Sequence, residues 1–135
     1  MTPELTDKLL KKYPEQFKNL KGIECDDGWY DIIANCCYII DQYMKGNIRK
    51  KDENLDFYWT QQKSKFAGLR LYSSGANDFI SGVIRMSEAI SYSICQFCGN
   101  KGVRCHRGFW VETLCDKCRI ENNYEICKKE NKPED

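Results

Sequence analysis

The chain has 135 residues, 41% of them hydrophobic, 13% aromatic and 30% charged, with a formal net charge of +1. That apolar content excludes a largely disordered chain, and the near-neutral balance excludes a global basic field for nucleic acid, so any such binding needs a local patch. No apolar run approaches the roughly 20 residues that span a bilayer, and an odd count of nine cysteines with no signal-like start points to a reducing cytoplasm rather than a disulfide framework.

Residues 1–21 read as two short helices, over about 3–20. Thr2 is placed to cap and Pro3 suits the first turn; Leu5, Leu9 and Leu10 share one face, and Pro14 opens a second turn carrying Phe17 and Leu20. After the turn residues Gly22, Asp26, Asp27 and Gly28, apolar side chains recur at three- and four-residue steps from Trp29 through Ile32, Ile33, Cys36, Ile40 and Tyr43 to Met44. That period predicts a central helix over 29–45, with Gly46 as its stop. Cys36 reads as a small buried hydrophobe.

A charged loop over 45–56 follows. Residues 57–72 are rich in aromatic and strand-forming residues and break at Ala67-Gly68, which predicts two antiparallel strands or one bent strand. Lys63, Lys65 and Arg70 then share a face near Tyr58 and Tyr72. Asn77 or Asp78 caps a helix over 78–93, built on Phe79, Ile80, Val83, Ile84 and Ile90. Glu88 in that helix reads as a buried acid or as a partner of Arg85.

The helix runs straight into the most informative stretch. Cys95 and Cys98 form one CxxC pair, sixteen residues separate Cys98 from Cys115, and Cys115 and Cys118 form a second pair. Each pair folds into a knuckle that aims two sulfurs at one point, and the intervening segment is long enough for a hairpin that brings the knuckles together. Four sulfurs close a tetrahedron around one structural zinc ion and leave no position for substrate. Gly99 supports the first knuckle, and Gly108 marks the hairpin bend, with Phe109, Trp110 and Val111 expected to cover the knuckles. Cys105 and His106 are alternative ligands with poorer spacing. A helix from Arg119 to about Lys128, packing Ile120 and Tyr124, then leads to a polar tail over 129–135.

Lys101, Arg104, His106 and Arg107 lie beside Trp110 in a run free of acidic residues from Ser91 to Val111. With Lys63, Lys65, Arg70 and Tyr72 they could hold phosphates by charge while aromatic rings stack on bases. They fit a solvated rim above a metal core equally well. His106 is the single histidine, and nothing in the sequence brings it near Cys25, Cys36 or Cys37, so no catalytic set is legible.

The series Gly28-Trp29, Lys65-Phe66-Ala67-Gly68-Leu69-Arg70-Leu71-Tyr72, Ser87-Glu88-Ala89-Ile90-Ser91, Cys95-x-x-Cys98-Gly99, Gly108-Phe109-Trp110 and Thr113-Leu114-Cys115-Asp116-x-Cys118 resembles a family of small, mostly uncharacterised bacteriophage and bacterial mobile-element proteins. The resemblance implies a cytoplasmic, phage-type accessory protein with a zinc-ribbon-like end, acting on a host protein in take-over or counter-defence. The expected architecture is α+β: an α+β core over 1–93, with helices on a small antiparallel sheet, and an integral four-cysteine module over 94–128. The expected function is non-enzymatic protein binding, with nucleic-acid or nucleotide sequestration as the alternative.

Overall fold

The computed structural model describes residues 1–48 and 54–128. The chain is α+β, with four α-helices and two small antiparallel sheets among the described residues. The second of the two short helices expected as far as residue 20 is replaced by turns, and helix α1 spans Pro3–Lys12 and stops there. Pro14 is the reason, because its ring disfavours helical backbone at the residue before it, and Tyr13 accordingly leaves the helix with φ −127° and ψ 59°. Residues 14–19 form turns that Gln16 pins down. Its Nε2 donates to the Cys37 carbonyl at 2.9 Å, and its Oε1 accepts from Trp59 Nε1 at 3.1 Å. Thr2 makes no side-chain cap; its backbone N–H donates to Asp27 Oδ1 instead.

Helix α2, Tyr30–Met44, follows a single 3-10 turn at Asp27–Trp29 and is the centre of the core. Ile33, Cys37 and Ile40 are fully enclosed, with Trp29 and Trp59 packed in the same cluster. Each such isoleucine contributes about 1.5–3 kcal/mol by leaving water. Lys45 caps the helix, and Gly46 turns out of it at φ +81°, as its sequence position requires.

Strands β1, Tyr58–Lys65, and β2, Gly68–Ser74, form an antiparallel hairpin whose closing pair is Lys65 with Gly68. The turn therefore sits at Phe66–Ala67, one residue before the expected break at Ala67-Gly68. Both turn residues have positive φ, 50° and 66°, the geometry that two-residue hairpins require and that Asn-Gly normally supplies. Gly68 is needed for another reason: a Cβ there would lie 2.4 Å from the Tyr92 ring.

Neither strand leaves a bare edge. On the β1 side Glu24 exchanges backbone bonds with Gln62 and Ser64. On the β2 side helix α3, Asp78–Ser91, supplies side chains: Ser91 Oγ accepts from Leu69 N at 2.9 Å, and Glu88 Oε2 from Leu71 N at 2.8 Å. Glu88 thus blunts a sheet edge, the control that keeps strands from pairing with another chain. Asn77 caps α3 through Ile80 N at 3.0 Å.

The second sheet has the order β4-β3-β5, with β3 Val103–Arg107, β4 Trp110–Leu114 and β5 Glu125–Ile126. The long helix expected from Arg119 is absent: α4 covers only Asp116–Glu121, and Asn123 at φ 61° turns the chain back. Residues 125–126 then pair with β3, so Tyr124 is buried while Ile120 and Ile126 face outward. Part of the charged loop expected over 45–56 (residues 49–53) and the tail over 129–135 lie outside the described residues. No helix among the described residues is long and apolar enough to cross a membrane.

Candidate metal centre

The sulfurs of Cys95, Cys98, Cys115 and Cys118 all lie within 4.8 Å of one another, with Cys98 Sγ 3.5 Å from Cys115 Sγ. A metal–thiolate distance of about 2.3 Å implies a sulfur–sulfur edge of about 3.8 Å in a tetrahedron. The cluster therefore fits a metal ion held by four thiolates, with no further protein ligand required. Cys105 and His106 are not in it. Cys105 is buried with its Sγ against the Val103 carbonyl, and His106 sits mid-strand, 3.9 Å from Glu125 Oε2.

Local backbone geometry brings these sulfurs together. In the first knuckle Gly99 N donates to the Cys95 carbonyl at 2.9 Å and Cys95 N to the Asn100 carbonyl at 2.6 Å, with Gly99 at φ +84°. In the second, Cys115 is the N-cap of α4 and its Sγ accepts from Cys118 N at 3.4 Å. That N–H lowers the Cys115 thiol to about 7, whereas burial raises Cys98 and Cys118. Hairpin β3–β4 joins the knuckles, and Gln96 N donates to the Thr113 carbonyl at 2.9 Å, binding one knuckle to the other's approach strand.

The module is seamed to the core by bonds far apart in sequence. Trp29 Nε1 donates to the Ile94 carbonyl at 2.8 Å, and Gly28 N to the Gln96 carbonyl at 2.7 Å. Thr113 Oγ1 donates to the Ala67 carbonyl at 2.7 Å and Arg104 Nη1 to the Phe66 carbonyl at 3.3 Å, so the strained turn of the first hairpin docks on the second. Beneath that contact Glu112 is buried. Its two oxygens accept from Trp110 Nε1 and Gln96 Nε2, and burial keeps its carboxyl above the ordinary range despite those donors. Glu112, Gln96 and Gly28 were not legible as a junction, because nothing in the sequence links residues so far apart.

The basic residues divide into two groups. Lys63 pairs across the hairpin with Arg70, and Lys65 and Tyr72 lie on the same face by alternation. Arg70 is engaged, its guanidinium donating to Tyr92 Oη at 2.8 Å. Arg104 is held by Phe66, and Arg107 donates to the Asn122 carbonyl at 2.9 Å over the Tyr124 ring. Lys65 and Lys101 are exposed. Phe109 and Trp110 do not cover the knuckles: both project into solvent, Phe109 fully and Trp110 at 63%. Phe97, Leu114 and Tyr124 fill the space next to the cysteines. With Phe66 and Val111 the two exposed rings border a cavity of about 230 Å³ where the hairpins meet.

Cys25, Cys36 and Cys37 are poor nucleophiles. Burial pushes Cys25 up to about 12 and Cys36 up to about 11, and raises Cys37 as well. At neutral pH the thiol form dominates overwhelmingly. Protein-family models, curated proteins and solved structures were all compared with this chain, and none matches it.

Proposed function

We propose that this chain is a zinc-stapled, non-enzymatic binding protein whose partner is another protein. In keeping with the motif series, we take it to be a phage-type accessory protein of the host cytoplasm, acting on a host protein in take-over or counter-defence. The observation that carries the reading is the metal hairpin's surface, where Arg104 and Arg107 are spent on backbone carbonyls of the same chain while Phe66, Phe109 and Trp110 stand exposed. Exposed aromatic side chains beside a cavity are the usual anchors of protein interfaces. Four thiolates in tetrahedral array suit zinc or iron, and zinc is favoured for a role that holds the hairpin without electron transfer.

The alternative, nucleic-acid or nucleotide binding, draws on two exposed lysines, Lys65 beside the same rings and Lys101 at the opposite end of the metal hairpin. Two measurements test the reading. Purified protein should carry about one zinc per chain by elemental analysis and lack the visible absorption of an iron thiolate. Capture from host lysate at low and high salt should retain a protein at high salt and lose it with Trp110→Ala. A nucleic acid retained only at low salt, and released by Lys65→Ala with Lys101→Ala, would reverse the ranking.

A further inference from the structure

Helix α3 carries two apolar seams. Ile80, Ile84, Ser87 and Ser91 recur at steps of four, three and four and are buried against α2 and β2. One residue earlier, Phe79, Val83, Met86 and Ile90 repeat the same steps, yet Phe79, Met86 and Ile90 are 38%, 64% and 43% exposed. They form one wall of a groove of about 770 Å³; Ile32, Cys36 and Ile39 of α2 form the other. A helix apolar on both seams normally has a neighbour on each. Here the second seam faces an open channel.

We propose that this groove is a docking site for an amphipathic helix of a partner protein, bearing an apolar stripe with a basic residue at each end. The assignment rests on the reading of the chain as a protein-binding protein and adds a second contact surface, apart from the exposed rings of the metal hairpin. The groove's only charged wall residues among those described are Asp31 and Asp78. The stacking of Tyr43 on Phe79 joins the end of α2 to the start of α3, so the helices run antiparallel and the two carboxylates mark opposite ends. At 1.5 Å per residue the ends are about 20 Å apart, roughly 14 residues of a helical occupant.

A second copy of this chain is a poor fit, because it would bring carboxylates to both ends whichever way it lay. The chain's own remaining segments are no better, since 49–53 and 129–135 contain only charged residues, Asn and Pro. Gly82 adds an independent sign. A glycine in mid-helix costs about 0.5–1 kcal/mol relative to alanine, and among the described residues nothing beyond the helix's own backbone and the adjacent residues lies within 4 Å of the place its Cβ would take. No internal contact calls for glycine there; close approach of an external helix backbone does.

The test uses the zinc-loaded full chain and a dye-labelled 18-residue helical peptide with leucines on one stripe and lysines about 14 residues apart, read by fluorescence anisotropy. Its counterpart carries glutamates in place of the lysines. The basic peptide should bind at least about tenfold more tightly. Gly82→Leu, which fills the groove from a position with free space, should weaken it about tenfold or more while leaving the urea midpoint unchanged or higher. Asp31→Asn with Asp78→Asn should bring the two peptides to similar affinity. Equal affinities for wild type, indifference to Gly82→Leu, or a concentration-dependent dimer broken by Met86→Lys would each overturn the proposal. Partner capture that is lost with Trp110→Ala and kept with Gly82→Leu would leave the protein-binding reading standing and remove the groove from it.

Discussion

Single side chains explain several departures from simple patterning. Gln62 is fully enclosed, and neither its Nε2 nor its Oε1 has a hydrogen-bond partner among the described residues. An unpartnered buried amide costs about 1–3 kcal/mol, so Gln62→Leu should stabilise the chain by that order, seen as a higher urea midpoint at unchanged slope. A loss of stability would mean that the amide is satisfied in solution. Phe66 makes a related point at the surface. A bulky residue at positive φ is strained, and the sequence Lys65-Phe66-Ala67-Gly68 lacks the Asn-Gly signal that would have placed the turn. The turn position was therefore read one residue late. The strain is offset by docking, since both turn carbonyls accept bonds from the metal hairpin.

Among elements, those with strong local periodicity were legible and those fixed by distant partners were not. Helix α2 is predicted within a residue at each end because its apolar side chains repeat faithfully and Gly46 stops it. The four cysteines are found from spacing alone. By contrast, residues 125–126 carry no alternation long enough to mark a strand; they become one by pairing with Cys105 and His106. The outward placement of Phe109 and Trp110 was equally hidden, since periodicity says which residues alternate but not which face meets solvent. Gly28 shows the same limit from the packing side. A Cβ there would sit 2.1 Å from the Cys95 carbonyl oxygen and 2.4 Å from that of Gln96, both backbone atoms of the first knuckle. Gly28→Ala should therefore cost about 3 kcal/mol and accelerate metal loss to a chelator. Unchanged stability and metal off-rate would show that the knuckle is not seated on Gly28.

At the scale of the molecule, the core cluster draws on residues from Leu9 to Ile84 and the metal cluster on residues from Cys95 to Tyr124. Structural zinc contributes about 10–16 kcal/mol to the folding of zinc-finger peptides, more than the small second cluster supplies by burial. Chelation at neutral pH should then release the β3–β4 hairpin and leave the helices in place. Hydrogen exchange checks this: amides of Cys105 and Glu112 should lose protection while those of Ile33 and Ile40 keep it. Simultaneous loss of both sets would show that the seam through Trp29 and Gly28 makes the two clusters one cooperative unit. That seam has a thermodynamic corollary. Gly99 belongs to the first knuckle and Ile94 to the residue next to it, and both also line the α2–α3 channel. Anything seated in the channel and a metal ion bound by the cysteines would share this wall, and any effect of one on the affinity of the other would be reciprocal. An occupant that prefers the metal-loaded chain must tighten the chain's hold on the metal by the same factor.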